Sequence, residues 1–276
     1  MPDLIKRIAF TAGKIILFLI VWGVLYAPFV VGGRSRLTIE IAGAVTILLA
    51  AWIVTRWIDK RPFVSIGFEI RSAGRDLVAG LVLGLAMMSL VVLALWSFGF
   101  AERVPLVGFS WTALAIAAVV MMTNTVTQEV LVRGYIQQTI QSYFGAASGV
   151  IFSALLFTLL HAPAIKGAPL PAVNLFAAGL LLSVAYVTTR NLWLPIGIHF
   201  GWNFLQGPLL GLTVSGQSVD CGWRLFRLHG APLFTGGLFG PEGGLIACIV
   251  TLIGIAAVSI PARVRRQRAT RRELLR

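Results

Sequence analysis

The chain has 276 residues, 58% of them hydrophobic and only 12% charged, with a formal net charge of +13. Soluble domains are about a quarter charged, so a water-soluble globular domain is excluded and the composition reads as an all-α polytopic membrane protein. The positive charge is clustered, in RVRRQRATRRELLR at the C-terminus and RWIDKRPFVSIGFEIRSAGRD (56–76); such clusters face an anionic inner leaflet, and without an aromatic-interleaved basic groove no nucleic-acid partner is expected.

A helix needs about 20 mostly apolar residues to cross a bilayer. Eight segments are expected to do so: 9–31, 38–57, 77–100, 112–142, 147–161, 171–188, 192–212 and 243–261. The first follows Lys6 and Arg7, is longer than the apolar part of a signal peptide and precedes no small-x-small cleavage site, so a retained span is expected. The fourth is overlong and the fifth short, which leaves their shared boundary soft. Only loops 58–76 and 213–242 are long. With no repeat and no linker, a single transmembrane domain over 1–276 is expected. Inner segments hold fifteen Lys and Arg, and outer loops six (Arg34, Arg36, Arg103, Lys166, Arg224 and Arg227), if both termini are cytoplasmic. Cys221 and Cys248 carry no pairing signal. The glycine-rich loop 224–244 is expected to start the last helix near Pro241-Glu242, residues suited to a first turn. His229, alone in that loop, reads as solvent-facing.

Ionisable groups at the bilayer centre cost about 2.5–3.5 kcal/mol each on insertion scales, so they face protein or a water-filled cavity. In TNTVTQEVLVRGYIQQ (123–138), Glu129 and Arg133 share one helix face, in the better order for an ion pair. Gln128 lies about 100° around the helix from Glu129, with Asn124 one turn before it. A buried ion pair that merely locks two helices would account for Glu129 and Arg133 equally well. In FTLLHAP (157–163), Phe157 and His161 share a face just before Pro163 ends the helix; an interfacial histidine is the plainer alternative. In LPIGIHFGWNFLQG (194–207), His199 and Asn203 are one turn apart, as functional groups or as helix–helix glue. Asn174 reads as a cap or packing residue. Together these groups are expected to line one buried polar cavity.

In order and spacing these motifs resemble the CAAX-protease and bacteriocin-processing (CPBP, or Abi) family of intramembrane proteases. That family carries Glu-Glu-x-x-x-Arg, Phe-x-x-x-His and His-x-x-x-Asn. Here they stand as Gln128-Glu129-x-x-x-Arg133, Phe157-x-x-x-His161 and His199-x-x-x-Asn203. The flanks RGYIQQ, TTRNLWLPIGIHFGWNF and GGLFGPEGG also look like the family, and the resemblance covers about residues 110–260. It implies an eight-helix membrane fold and hydrolysis of peptide bonds. The first Glu with the first His would activate water, the second His and the Asn would hold the oxyanion, and the second Glu would pair with the Arg.

The chain departs from the pattern at Gln128, since an amide does not accept the water's proton. Three explanations stand open. Glu129 takes over as base while Gln128 orients water or a substrate carbonyl; the chain is a pseudoprotease; or the Gln is an engineered block. The expectation is an endopeptidase acting on membrane-associated peptides or protein tails in a bacterial plasma membrane, with Gln128, Glu129, Arg133, His161, His199 and Asn203 at its site. Rivals are a noncatalytic scaffold or immunity protein, and a transporter. No cofactor is expected; the weaker alternative is zinc held by His161, His199 and Glu129, although no His-Glu-x-x-His occurs.

Overall fold

The computed structural model describes residues 2–165, 168–219, 221 and 223–274, with backbone alone at 2 and 261–274. The described helices are α1 (Pro2–Val30), α2 (Arg36–Ile53), α3 (Ala73–Ser97), α4 (Trp111–Glu129), α5 (Gln138–Leu160), α6 (Ala162–Ile165), α7 (Pro169–Thr189), α8 (Trp193–Phe204), α9 (Pro232–Thr235) and α10 (Leu245–Leu274). Wide π-helical turns extend α2 (Val54–Ile58), join α4 to α5 (Val130–Gln137) and extend α8 (Leu205–Leu209). A two-stranded antiparallel ribbon pairs β1 (Ala101–Arg103) with β2 (Phe226–Leu228). His229 continues that ribbon, is exposed, and donates its backbone N–H to the Phe100 carbonyl at 3.0 Å.

The protein is a polytopic all-α membrane protein. Among the described residues five helices are long and apolar enough to cross a membrane: Asp3–Val30, Arg36–Ile58, Ile70–Ser97, Trp111–Leu160 and Pro169–Thr189. Eight crossings were expected, and each expected segment is helical, but three fall short by length or continuity. The fourth and fifth expected spans run on as one helical path broken at Gly145, whose φ of 84° and ψ of 167° no helix contains. The seventh is the twelve-residue α8 plus its wide turn. The eighth has its apolar part at Leu245–Ile260. Large apolar side chains such as Ile16, Val24, Val82, Leu93, Phe152 and Ile253 face outward, as a lipid-facing surface requires. The C-terminal arginine cluster and Lys166, both used in the expected orientation, lie outside the residues whose side chains are described.

Local signals set the helix ends. Ser35 and Ser110 cap α2 and α4 by accepting the N–H of Thr38 and Ala113, each at 3.3 Å. Pro169 opens α7, where its missing N–H costs nothing. The two larger apolar clusters among the described residues fill the bundle, and a small third gathers Ala117, Cys221 and Trp223. Of the larger two, one gathers Met87, Val91, Phe157, Leu175, Leu182 and Ile198 from α3, α5, α7 and α8. The other gathers Phe18, Ile47, Val54, Val130, Tyr135 and Ile196, mostly from α1, α2 and the α4–α5 junction.

The helix that carries His199 and Asn203 is fixed by an unusually close seam with α3. A Cβ added at Gly201 would lie 2.7 Å from the Leu81 carbonyl oxygen. Gly197 on α8, and Gly80 and Gly84 on α3, meet the opposing backbone as closely or more so. Both helices therefore present small-x-x-x-small faces, which let backbones touch where lipid offers no hydrophobic drive for association.

Candidate active site

At the α4–α5 junction the backbone widens just after Glu129, and every residue from Val130 to Gln137 is buried. Such wide turns recur at functional sites because they re-aim side chains relative to a regular helix. Here Arg133 donates from Nη1 to Glu129 Oε1 at 2.9 Å, with both side chains fully buried. Its Nη2 reaches the Gly179 carbonyl on α7 at 3.2 Å. That reach depends on tight α5–α7 packing, for a Cβ at Gly179 would fall 2.7 Å from Ala154 Cα. The guanidinium also stacks over the Phe157 ring, 4.6 Å from its centroid, a favourable placement for a desolvated cation.

Phe157 links three groups. Its ring lies 4.7 Å from that of His161 and 5.7 Å from that of His199, edge-on to the latter. Its carbonyl oxygen lies 2.8 Å from His161 Nδ1. A carbonyl can only accept, so Nδ1 carries the proton and Nε2 of the neutral ring is an acceptor. His199 Nδ1 lies 2.8 Å from Glu129 Oε1 and donates to it in the same way. Glu129 thus accepts from Arg133 and His199 through one oxygen, joining α4 to α8. Its Oε2 and the Arg133 Nε are buried without a protein partner.

Between α5, α7, α8 and the loop before α10 lies a cavity of about 60 Å³, room for a few waters. His161, His199 and Asn203 line it, as do Trp202, Ser215 and Glu242. Leu175, Leu181, Ile198 and Phe239 give it an apolar wall. The sequence expectation that polar groups from distant helices meet in one pocket therefore has a structural counterpart in His161, His199 and Asn203. Glu129 and Arg133 stand behind the wall, and touch the cavity only through His199 and Phe157.

Gln128 is directed elsewhere. Its Nε2 donates to Asn124 Oδ1 at 2.7 Å, and Asn124 Nδ2 donates to Glu40 Oε2 on α2 at 3.0 Å. It is not among the residues lining the cavity. Among the described residues, no three His, Cys, Asp or Glu side chains are grouped to hold a metal ion. Of the expected zinc set, His161 Nδ1 meets the Phe157 carbonyl, and Glu129 Oε1 accepts from both Arg133 and His199 Nδ1.

Residues 109–205 match the family of type II CAAX prenyl endopeptidases, Rce1-like. The CAAX-protease resemblance is shown over this segment. It holds all three motif stretches, from Gln128 to Asn203, and both cavity histidines. No curated protein and no solved structure matches the chain.

Two cavity groups lie beyond the reach of the motif argument. Asn174, within the family segment but read from sequence as a cap, donates from Nδ2 to the carbonyls of Glu242 and Gly244, each at 2.8 Å. Glu242, outside the segment, read only as a first-turn acid. The one sequence signal was a polar residue in each of two otherwise apolar stretches, and nothing in their spacing joins positions 68 apart.

Proposed function

We propose that the protein is an intramembrane endopeptidase of the CAAX class that cleaves membrane-associated peptides or protein tails. The convergence of His161, His199 and Asn203 on one cavity within a family-matched segment carries this reading. His161, with Nδ1–H held by Phe157, offers Nε2 to a water as acceptor. His199 and Asn203 face the same space; the Asn203 amide supplies one donor for the oxyanion that forms when water adds to the scissile carbonyl, and His199 Nε2 a second when its ring carries both protons. Preorganised donors of this kind are worth about 10²–10³ in rate each. Glu129 and Arg133 act as positioning residues: the carboxylate holds the His199 ring, and the guanidinium ties α4 to α7. Gln128 in this reading braces α4 against α2. The basic-residue asymmetry of the loops supports an orientation with both termini cytoplasmic.

The absence of a carboxylate at position 128 favours, as a second reading, a descendant that binds such peptides without cutting them. Reconstitution in liposomes with a fluorogenic peptide library separates the two. The unmodified chain should cleave, and His161→Ala should lose about 10²-fold or more in kcat/KM, with its melting temperature retained. Binding of peptides without cleavage by either protein would favour the second reading.

A further inference from the structure

Glu242 sits in the short 3-10 turn Pro241–Gly243 that leads into α10, outside the family-matched segment. Its side chain is largely covered, and it lines the cavity. Oε1 accepts from the backbone N–H of Ser215 and from Ser215 Oγ, the latter at 2.8 Å. Oε2 accepts only the longer bond from the Trp202 indole, at 3.2 Å. An ionised carboxylate has about four lone-pair sites, so Oε2 keeps capacity for a water. Several residues hold the turn in place. Asn174 donates to the Glu242 carbonyl within it and to the Gly244 carbonyl just after it. Gly240, at φ 103°, bends the chain into contact with the Thr213 carbonyl, where a side chain would not fit. Gln206 bridges the same carbonyl and the Trp202 indole. Among the described residues neither a lysine nor an arginine pairs with this carboxylate.

The geometry points to Glu242 as the catalytic base of the protease reading above, on which this inference rests: it supplies from the opposite wall the cavity carboxylate that position 128 lacks. A water between Oε2 and His161 Nε2 gives one proton to Glu242 while its oxygen adds to the substrate carbonyl carbon. The oxyanion is held by His199 and Asn203. The C–N bond then breaks, and Glu242 returns the proton to the leaving amine, so that water and peptide become carboxylic acid and amine with the enzyme unchanged. The charges also match. Arg133 is paired with Glu129 behind the wall, so among the described lining residues Glu242 is the carboxylate that faces the cavity. Burial pushes the Glu242 carboxyl above its ordinary range, opposed by the hydrogen bonds from Ser215 and Trp202 and by nearby His199. A base shifted toward neutrality is better matched to proton transfer. Among the described residues the titratable groups facing it are His199 on α8 and His161 just after α5; α7, α10 and the turn at 215 present the neutral Asn174, Thr251 and Ser215.

The test uses the full chain in liposomes with the peptide library, comparing E242Q, E242D, H161A and the double variant E242Q/Q128E. Expected is a loss of about 10²–10⁴ in kcat/KM for E242Q with thermal unfolding close to that of the parent. E242D should retain part of the rate, with its acidic limb moved. The parent's acidic limb, where activity falls as pH drops through the Glu242 titration, should lie above the ordinary carboxylate range and be missing from the residual activity of E242Q. E242Q/Q128E should stay inactive. Parent-like cleavage by E242Q beside an inactive H161A would overturn the role of Glu242 and leave the protease reading intact, as would rescue by Q128E. Parent-like cleavage by H161A, or none by the parent, would remove both.

Discussion

Gln128 and Glu129 are neighbours in the chain, yet they serve opposite sides of the same helix. Glu129 faces inward, fully buried, and ties Arg133 and His199 together behind the cavity. Gln128 faces α2 and closes a hydrogen-bonded chain through Asn124 to Glu40. The first face is a charged network in low dielectric, where each partner is needed by the others. The second is a set of partly covered neutral contacts around one carboxylate. A helix turning 100° per residue separates two functions that a motif writes as adjacent letters.

The contrast predicts unequal costs. Arg133→Met should have the largest effect, because it leaves the fully buried Glu129 without its permanent counter-charge. Breaking one side of a buried pair costs about 3–5 kcal/mol, read as a matching loss in unfolding free energy in detergent, together with loss of cleavage. An unchanged unfolding curve would mean that the inner face is no more coupled than the outer. Gly201→Leu should come next. Its side chain would drive α8 off the Leu81 backbone, at about 1–3 kcal/mol for overpacking, and displace His199 and Asn203, so cleavage should fall further than stability alone explains. Asn124→Ala should be the mildest. It removes two hydrogen bonds worth about 0.6 kcal/mol each in a membrane, and kcat/KM should stay within about twofold of the parent. A loss as deep as that of His161→Ala would place the outer chain in the reaction path.

Much of this was legible before any coordinates. The apolar segments and their order follow from hydropathy, since a backbone in lipid must satisfy its own hydrogen bonds and does so as helix. The pairing of Glu129 with Arg133, and the shared face of His199 and Asn203, follow from i,i+4 geometry within one helix. Less legible was the wide turn from Val130 to Gln137, because nothing in VLVRGYIQ separates it by period from a regular helix. The glycine seam of α3 and α8 was written in the chain at 80, 84, 197 and 201, but two small-residue faces say nothing of which helix each will meet. The roles of Asn174 and Glu242 were illegible for the same reason. A hydrogen bond between residues 68 positions apart leaves no periodic trace.

By itself, then, the sequence determined a helical membrane protein, three polar motifs in a family's order, and the ion pair at Glu129 and Arg133. These depend on local periodicity and on the cost of placing charge in lipid. The tertiary structure alone decided that Gln128 looks away from the cavity, that Glu129 reaches it through His199, and that the carboxylate at its wall is Glu242. Those facts depend on how helices rotate and approach one another, and that is set by the packing of side chains that are distant in the chain.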